Sequence, residues 1–136
     1  MIGVLVLTHG AAGEHMLATA KQIVGTTRAR AAAMGVASDA DPQAALESAR
    51  SIAKQLDDGS GVLVLTDLYG ATPANVAARL LADGRIEGIA GLSLPMLVRV
   101  LSGRDPTLAA AVQRALSGGA EGVLHMNRDC CRDAKR

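Results

Sequence analysis

The chain opens on MIGVLVLTHG, residues 1–10, and this stretch decides the fold. Its apolar run, bounded by Gly10, predicts a buried strand from Ile2 to Thr8. In open α/β sheets, ligands bind just beyond the carboxyl ends of such strands. His9 stands at that point, followed by small residues that leave room for a partner. His9 is therefore a candidate nucleophile or ligand, and the alternative is a surface histidine in an ordinary strand-to-helix turn.

Strand-like runs alternate with helical patterns along the rest of the chain, which predicts a parallel sheet with crossover helices. Further strands are expected at Ala31–Val36, Val62–Leu65 and Ile86–Leu92, and helices at residues 12–24, 42–56, 72–81, 94–101 and 106–116. The Ala-rich second strand is expected near an edge, and the wholly apolar third strand in the centre. The predicted fold class is a doubly wound three-layer α/β sandwich with a mainly parallel sheet in the flavodoxin-like order 2-1-3-4.

The C-terminal part is predicted to contain one further strand. Ser117-Gly118-Gly119 is expected to end the last helix, and Val123–Met126 to form an extra edge strand. Residues 1–127 are expected to form one domain, and residues 128–136 a polar tail. Cys130 and Cys131 lie in that tail; neighbouring cysteines cannot join distant parts of a fold, so we expect reduced thiols.

Composition narrows the classes of partner. Tyr69 is the only aromatic residue, which argues against binding single-stranded nucleic acid by base stacking. The formal net charge of +1 gives no basic face for a phosphate backbone. The apolar start is too short to span a bilayer and lacks a basic segment before it, so we expect a cytoplasmic protein.

Asp67 follows the third strand as His9 follows the first. In the order 2-1-3-4 these two strands are neighbours, so the two side chains can meet where the strand order reverses. A carboxylate that accepts from Nδ1–H fixes the tautomer of the ring and leaves Nε2 as an attacking lone pair. The alternative is that Asp67 only caps its own turn.

The residues after Asp67 suggest an anion site. Gly70 and Ala71 leave space above the turn, and Thr72 is expected to cap a helix whose free N–H groups favour an anion. With Gly10 they form a candidate phosphate-binding group. We infer phosphoryl transfer through phosphohistidine from this combination, with no cofactor and no metal, because no acidic cluster completes a metal site.

Three blocks together resemble the mannose-family enzyme IIA of the bacterial phosphotransferase system: residues 8–10, 66–75 and 91–97. The resemblance extends to about Met126. It implies that His9 receives phosphate on Nε2 from the phosphocarrier protein HPr and passes it to a IIB protein, with Asp67 orienting the ring. Thr72 stands where the family commonly has Ser, Ala71 where Gly is common, and Leu68 where Thr is frequent.

The resemblance also implies a homodimer in which a C-terminal strand crosses to the partner's sheet, and the Gly118-Gly119 hinge suits that exchange. Contact with a membrane is expected only indirectly, through a permease complex. The chain ends soon after the last strand, which predicts a free-standing IIA protein. A module that regulates through phosphorylation of His9, without a permease, is the alternative function.

Two other classes fit less well. A receiver domain needs acidic metal ligands after the first strand and a lysine after the last. A nucleotide- or flavin-binding module needs G-x-G-x-x-G spacing, which Gly10-Ala11-Ala12-Gly13 lacks. Among the remaining polar residues, His15 is expected to face solvent and His125 to be structural. Arg99 and Arg104 either flank the site or lie on solvated helix faces.

Overall fold

A computed structural model describes residues 1–128 of the chain. Over this range the elements are β1 (Gly3–His9), α1 (Ala12–Val24), β2 (Arg30–Val36), α2 (Pro42–Leu56), β3 (Val62–Thr66), α3 (Thr72–Ala78), β4 (Ile86–Ala90), α4 (Leu94–Ser102) and α5 (Leu108–Glu121). The predictions that concern Cys130, Cys131 and the tail beyond Arg128 lie outside the described residues.

The sheet has four parallel strands in the order β2-β1-β3-β4, as predicted. β1 pairs with β2 from Gly3↔Arg30 to His9↔Val36 and with β3 from Gly3↔Val62 to Leu7↔Thr66. The Ala-rich strand lies at one edge and β3 in the centre, which confirms both assignments. The carboxyl ends of β1 and β3 are therefore adjacent.

Helices cover both faces of the sheet. Because successive side chains of a strand point to opposite faces, an unbroken apolar run buries both. Val4 and Val6 pack with residues of α1, α4 and α5, whereas Leu5 and Leu7 pack with residues of α2 and α3. All four side chains are fully buried, and each such side chain contributes roughly 1.5–3 kcal/mol of transfer free energy. This two-sided core holds β1 rigidly beneath the site.

Polar side chains cap the starts of three helices. Asp41 caps α2 by accepting from the backbone N–H of Gln43 at 3.2 Å, and Ser93 caps α4. α5 begins at Leu108 rather than at Asp105-Pro106, because the Thr107 hydroxyl accepts from the backbone N–H of Ala110. Asp105 instead accepts from the N–H of Thr107.

α3 ends at Ala78, three residues before the predicted end at Leu81. The N–H groups of Arg79, Leu80 and Leu81 bond carbonyls three residues back, which tightens the chain into a turn. Leu80 remains buried in this turn. The apolar pattern therefore continues past the end of the helix, and periodicity could not locate that end.

The C-terminal prediction is wrong in two respects. α5 runs through Gly118 and Gly119 to Glu121, and Val123–Met126 forms no strand. A Cβ on Gly118 would lie 3.1 Å from Cβ of Arg99 and 3.2 Å from Cα of Met96, so this glycine lets α5 pack closely on α4. The chain leaves the helix only at Gly122 and then turns, with the N–H of Arg128 donating to the carbonyl of His125.

None of the helices within residues 1–128 combines the length and the apolar character needed to cross a bilayer.

Candidate functional site

His9 is the last residue of β1, at the carboxyl edge of the sheet. Its side chain is 52% exposed, although the six residues before it in the strand are buried. The next residue, Gly10, has a φ of +49°, a conformation that favours glycine. The N–H of Gly10 donates to the carbonyl of Val36 at 3.2 Å, which ties the turn after His9 to the end of β2.

The structure brings His9 and Asp67 together, as the strand order predicted. Nδ1 of His9 lies 2.8 Å from Oδ2 of Asp67, and the backbone N–H of His9 donates to the same oxygen at 3.0 Å. With Nδ1–H donating to the carboxylate, the neutral ring carries its lone pair on Nε2. Because Asp67 bonds His9, 58 residues away in sequence, its side chain does more than cap its own turn.

The carboxyl group of Asp67 is held in its charged form. Partial burial raises the pKa of Asp67, but the hydrogen bonds from the ring and backbone of His9 outweigh that effect, so its pKa lies below the ordinary value. The side chain is 25% exposed. The carboxylate is thus available to hold the imidazole throughout the neutral range.

A buried hydroxyl, absent from the sequence-based site, fixes the start of α1. Thr8 is fully buried, and its Oγ1 accepts from the N–H of Gly13 at 2.8 Å. A Cβ on Gly13 would lie 2.8 Å from that oxygen, so the small residue permits the contact. The sequence carried a signal for this contact: one hydroxyl residue at the end of an apolar strand, with a glycine in the next helix.

The turn after Asp67 differs from its predicted form. Ala71, not Thr72, is the N-cap of α3, and its methyl side chain forms no capping hydrogen bond. Thr72 already occupies the first helical position, where its hydroxyl is not placed to accept from the following amides. Gly70 has a φ of +85°. Within residues 1–128, the N–H groups of Gly70 and Thr72 have no hydrogen-bond partner.

Large apolar side chains stand in the same turn. Leu68 is 60% exposed and Tyr69 is 86% exposed, immediately after the residue that contacts His9. A cavity of about 210 Å³ lies where the start of α2 meets α3, and its lining includes Pro42, Thr72 and Arg79. The edge of the sheet beyond His9 is therefore open and partly apolar.

Neither of the arginines that the sequence suggested contacts the site. Arg99 bonds Glu121 and the Ser117 hydroxyl, which joins α4 to α5. Arg104 follows the C-terminal end of α4 and lines a cavity with Arg28, at the opposite edge of the sheet from His9. His15 is exposed on α1, as predicted.

No three His, Cys, Asp or Glu side chains in the described part of the chain, residues 1–128, group closely enough to hold a metal ion.

Comparison with known proteins identifies the family. The family model EIIA-man, described as the PTS system fructose IIA component, matches residues 3–116. The chain belongs to the EIIA-man family. This result agrees with the resemblance carried by the blocks around His9 and Asp67. It makes the chain a member of the mannose family of IIA components of the sugar phosphotransferase system.

Two curated relatives of this EIIA-man chain show how far the likeness extends. The PTS system mannose-specific EIIAB component of Escherichia coli (strain K12) is 34% identical over 125 residues, which cover 90% of this chain and 38% of that protein. The PTS system fructose-specific EIIA component of Bacillus subtilis (strain 168) is 43% identical over 53 residues, which cover 38% of this chain and 36% of that protein. The matched residues thus span well under half the length of each relative.

The fold of the EIIA-man chain also matches a solved structure. The mannose/sorbose specific IIA subunit of the phosphotransferase system from Enterococcus faecalis superposes with a TM-score of 0.80 at 24% identity. The match covers 90% of this chain and 92% of that one. The doubly wound sheet is therefore the fold of a IIA subunit.

Proposed function

We propose that this chain is a phosphocarrier of the sugar phosphotransferase system, in which His9 accepts phosphate from phospho-HPr and passes it to a IIB protein. The observation that carries the proposal is the 2.8 Å contact between Nδ1 of His9 and Oδ2 of Asp67 in a member of the EIIA-man family. That contact directs the Nε2 lone pair away from the carboxylate. The half-exposed ring leaves Nε2 within reach of another protein.

The proposed step exchanges one P–N bond for another. The Nε2 lone pair of His9 attacks phosphorus, the P–N bond of the donor's phosphohistidine breaks, and its electron pair returns to the donor ring. Nδ1 of His9 keeps its proton, and the positive charge that develops on the ring faces the Asp67 carboxylate. Transfer to the IIB protein repeats the exchange with a histidine or cysteine side chain of the acceptor as the attacking group.

The phosphate is proposed to lie over the turn after Asp67. The N–H groups of Gly70 and Thr72, which have no partner among residues 1–128, and the exposed Thr72 hydroxyl offer donors to phosphoryl oxygens. Ala71 places them at the start of α3. Gly10 contributes space rather than a donor, because its N–H is bonded to Val36.

The partner surface is proposed to include Leu68 and Tyr69. A protein that brings phosphohistidine to Nε2 of His9 has to approach the turn that these side chains occupy. Exposed aromatic and large apolar residues are typical anchors of protein interfaces. HPr and the IIB protein would use this surface in turn, since both must reach the same nitrogen.

We further propose a cytoplasmic homodimer that meets the membrane only through a permease complex. Beyond the bridge between Ile86 and Ala82, the outer edge of β4 is unpaired within residues 1–128, and Val123 and Met126 expose 82% and 63% of their surface. These features support pairing of the C-terminal segment with β4 of a second copy. The names of the relatives, which refer to mannose and fructose, favour a hexose as the transported sugar.

The test is phosphate labelling with purified components. The protein is incubated with radiolabelled phosphoenolpyruvate, enzyme I and HPr, in parallel with His9→Ala and the matched control His15→Ala. We expect acid-labile, base-stable label on the wild type and on His15→Ala and none on His9→Ala. Label that survives acid but not base would indicate an aspartyl phosphate and contradict the proposal, as would undiminished label on His9→Ala.

A further inference from the structure

Gly35 lies against the turn that follows His9. It is the next-to-last residue of β2 and pairs with Thr8 in the register of the sheet. A Cβ on Gly35 would lie 2.1 Å from the carbonyl oxygen of Gly10 and 2.9 Å from its carbonyl carbon. Real Cβ atoms essentially never come within 3.0 Å of such atoms, so the turn can occupy its place only because residue 35 has no side chain.

The close approach is made by backbone that carries the histidine. Gly10 follows His9 directly, and its N–H donates to the carbonyl of Val36, the residue after Gly35. The His9 segment is thus held from two neighbouring strands. β2 holds it through the backbone of Gly10, and β3 holds it through the Asp67 carboxylate.

We propose that Gly35 is a positioning residue for the His9 imidazole, an inference that rests on the proposed phosphocarrier function. The missing side chain lets the turn settle onto β2 at the distance that places Nδ1 of His9 on Asp67. A methyl group at residue 35 would need about 1.3 Å more room to reach ordinary van der Waals contact with the carbonyl oxygen of Gly10. That displacement falls on the residue next to His9.

The position of Gly35 separates this role from a general effect on the fold. Gly35 is exposed on an edge strand and its φ is not positive, so its backbone conformation suits any residue. Gly35 is not among the residues of the two hydrophobic core clusters. Judged by backbone conformation and exposure alone, an alanine at residue 35 should not change the free energy of unfolding. The steric clash of its Cβ is confined to the carbonyl group of Gly10.

Gly88 provides a matched control. It also lies in an edge strand, β4, and a Cβ there would approach Cδ2 of Leu81 at 2.8 Å. That atom is the far end of a flexible side chain, which can move aside, whereas the atoms facing Gly35 are backbone. Gly35→Ala and Gly88→Ala therefore add the same methyl group to comparable strands, and only the first presses on the His9 turn.

The experiment compares the imidazole signals and the labelling rates of wild type, Gly35→Ala and Gly88→Ala. Nitrogen–proton NMR of the folded proteins reports the hydrogen-bonded Nδ1–H of His9, with the signals of His15 and His125 as internal references. In Gly35→Ala we expect the His9 signal alone to shift or vanish. The initial rate of labelling by phospho-HPr should fall roughly 10- to 100-fold, as for a misplacement of about 1 Å at a reacting group. Gly88→Ala should match the wild type in both measurements.

The outcomes distinguish this inference from the proposed function. A wild type that takes no label defeats the phosphocarrier proposal, and the NMR comparison then decides the role of Gly35 alone. A labelled wild type with an unchanged His9 signal and rate in Gly35→Ala overturns the positioning role. If Gly35→Ala does not fold, the wild type is examined for nuclear Overhauser contacts between the α-protons of Gly35 and Gly10. Their presence supports the close approach on which the positioning role of Gly35 depends, and their absence overturns that role.

Discussion

One oxygen of Asp67 holds His9 twice: Oδ2 accepts from the ring at 2.8 Å and from the backbone N–H at 3.0 Å. The backbone bond fixes the carboxylate relative to β1, and the ring bond fixes the imidazole relative to the carboxylate. Because both bonds end on one atom, the direction of Nε2 is set by the pairing of β1 with β3. The other oxygen, Oδ1, is buried without a partner among residues 1–128.

Asp67→Asn should keep the fold and slow phosphorylation of His9. The amide cannot provide the negative charge that faces the ring, and the loss of a hydrogen bond to a charged group amounts to about 1.5–3 kcal/mol. If that loss falls on the transition state, the rate of labelling by phospho-HPr falls roughly 10- to 100-fold. Asp39→Asn removes the same charge from the neighbouring loop and should not slow transfer. Equal rates in the two variants would show that the orienting bond is unimportant.

The stability of the protein should depend on the ionisation of Asp67. Its pKa in the folded state lies below the ordinary value of 3.8. The stabilisation is therefore complete above that value and is lost as the pH falls through the lowered pKa. Between about pH 5 and pH 2, the free energy of unfolding of the wild type should decrease more steeply than that of Asp67→Asn. Urea denaturation across this range measures both slopes, and parallel curves would refute the assignment.

Thr8→Val should destabilise the protein through the start of α1. The substitution keeps the size of the side chain but leaves the buried N–H of Gly13 without its acceptor. An unsatisfied buried donor costs about 1–3 kcal/mol. Thr8→Ser keeps the hydroxyl and should lose less. Urea denaturation near neutral pH compares the two variants, and a Thr8→Val protein as stable as Thr8→Ser would contradict the role of the hydroxyl.

Two adjacent glycines in α5 should respond in opposite ways to alanine. Gly118→Ala would press a methyl group against Cα of Met96 and Cβ of Arg99, and overpacking of this kind costs about 1–3 kcal/mol. At Gly119 the methyl group would meet only Cε of Met96, at 3.0 Å. Alanine favours a helix over glycine by about 0.8–1 kcal/mol, so Gly119→Ala should be neutral or stabilising. Equal effects in urea denaturation would contradict close packing of α5 on α4.

The parallel sheet and the pairing of His9 with Asp67 could be predicted because they depend on the hydrophobic pattern of the strands and on the strand order. Two wholly apolar runs predict central strands, and parallel strands in the order 2-1-3-4 bring their carboxyl ends together. His9 and Asp67 occupy those two ends. The pairing of a histidine with an acid then follows from elementary chemistry, without knowledge of the loops.

The remaining features depend on tertiary contacts that local rules do not contain. Gly118 and Gly119 predict a chain break by propensity, but close packing against α4 overrides it. Thr72-Pro73 predicts a cap, yet the helix begins one residue earlier than that pattern implies. The contact of Gly35 with Gly10 joins the end of β2 to the turn after β1, which are adjacent only in the folded sheet, so it has no counterpart in the sequence pattern.

The most direct test is to locate the phosphate on the ring. Isotope-labelled protein phosphorylated through phosphoenolpyruvate, enzyme I and HPr is examined by NMR for coupling between phosphorus and each imidazole nitrogen of His9. If the Asp67 contact sets the tautomer, the coupling is to Nε2, and Nδ1 retains its hydrogen-bonded proton. Phosphorus coupled to Nδ1, or to a nitrogen of His15 or His125, would contradict the account.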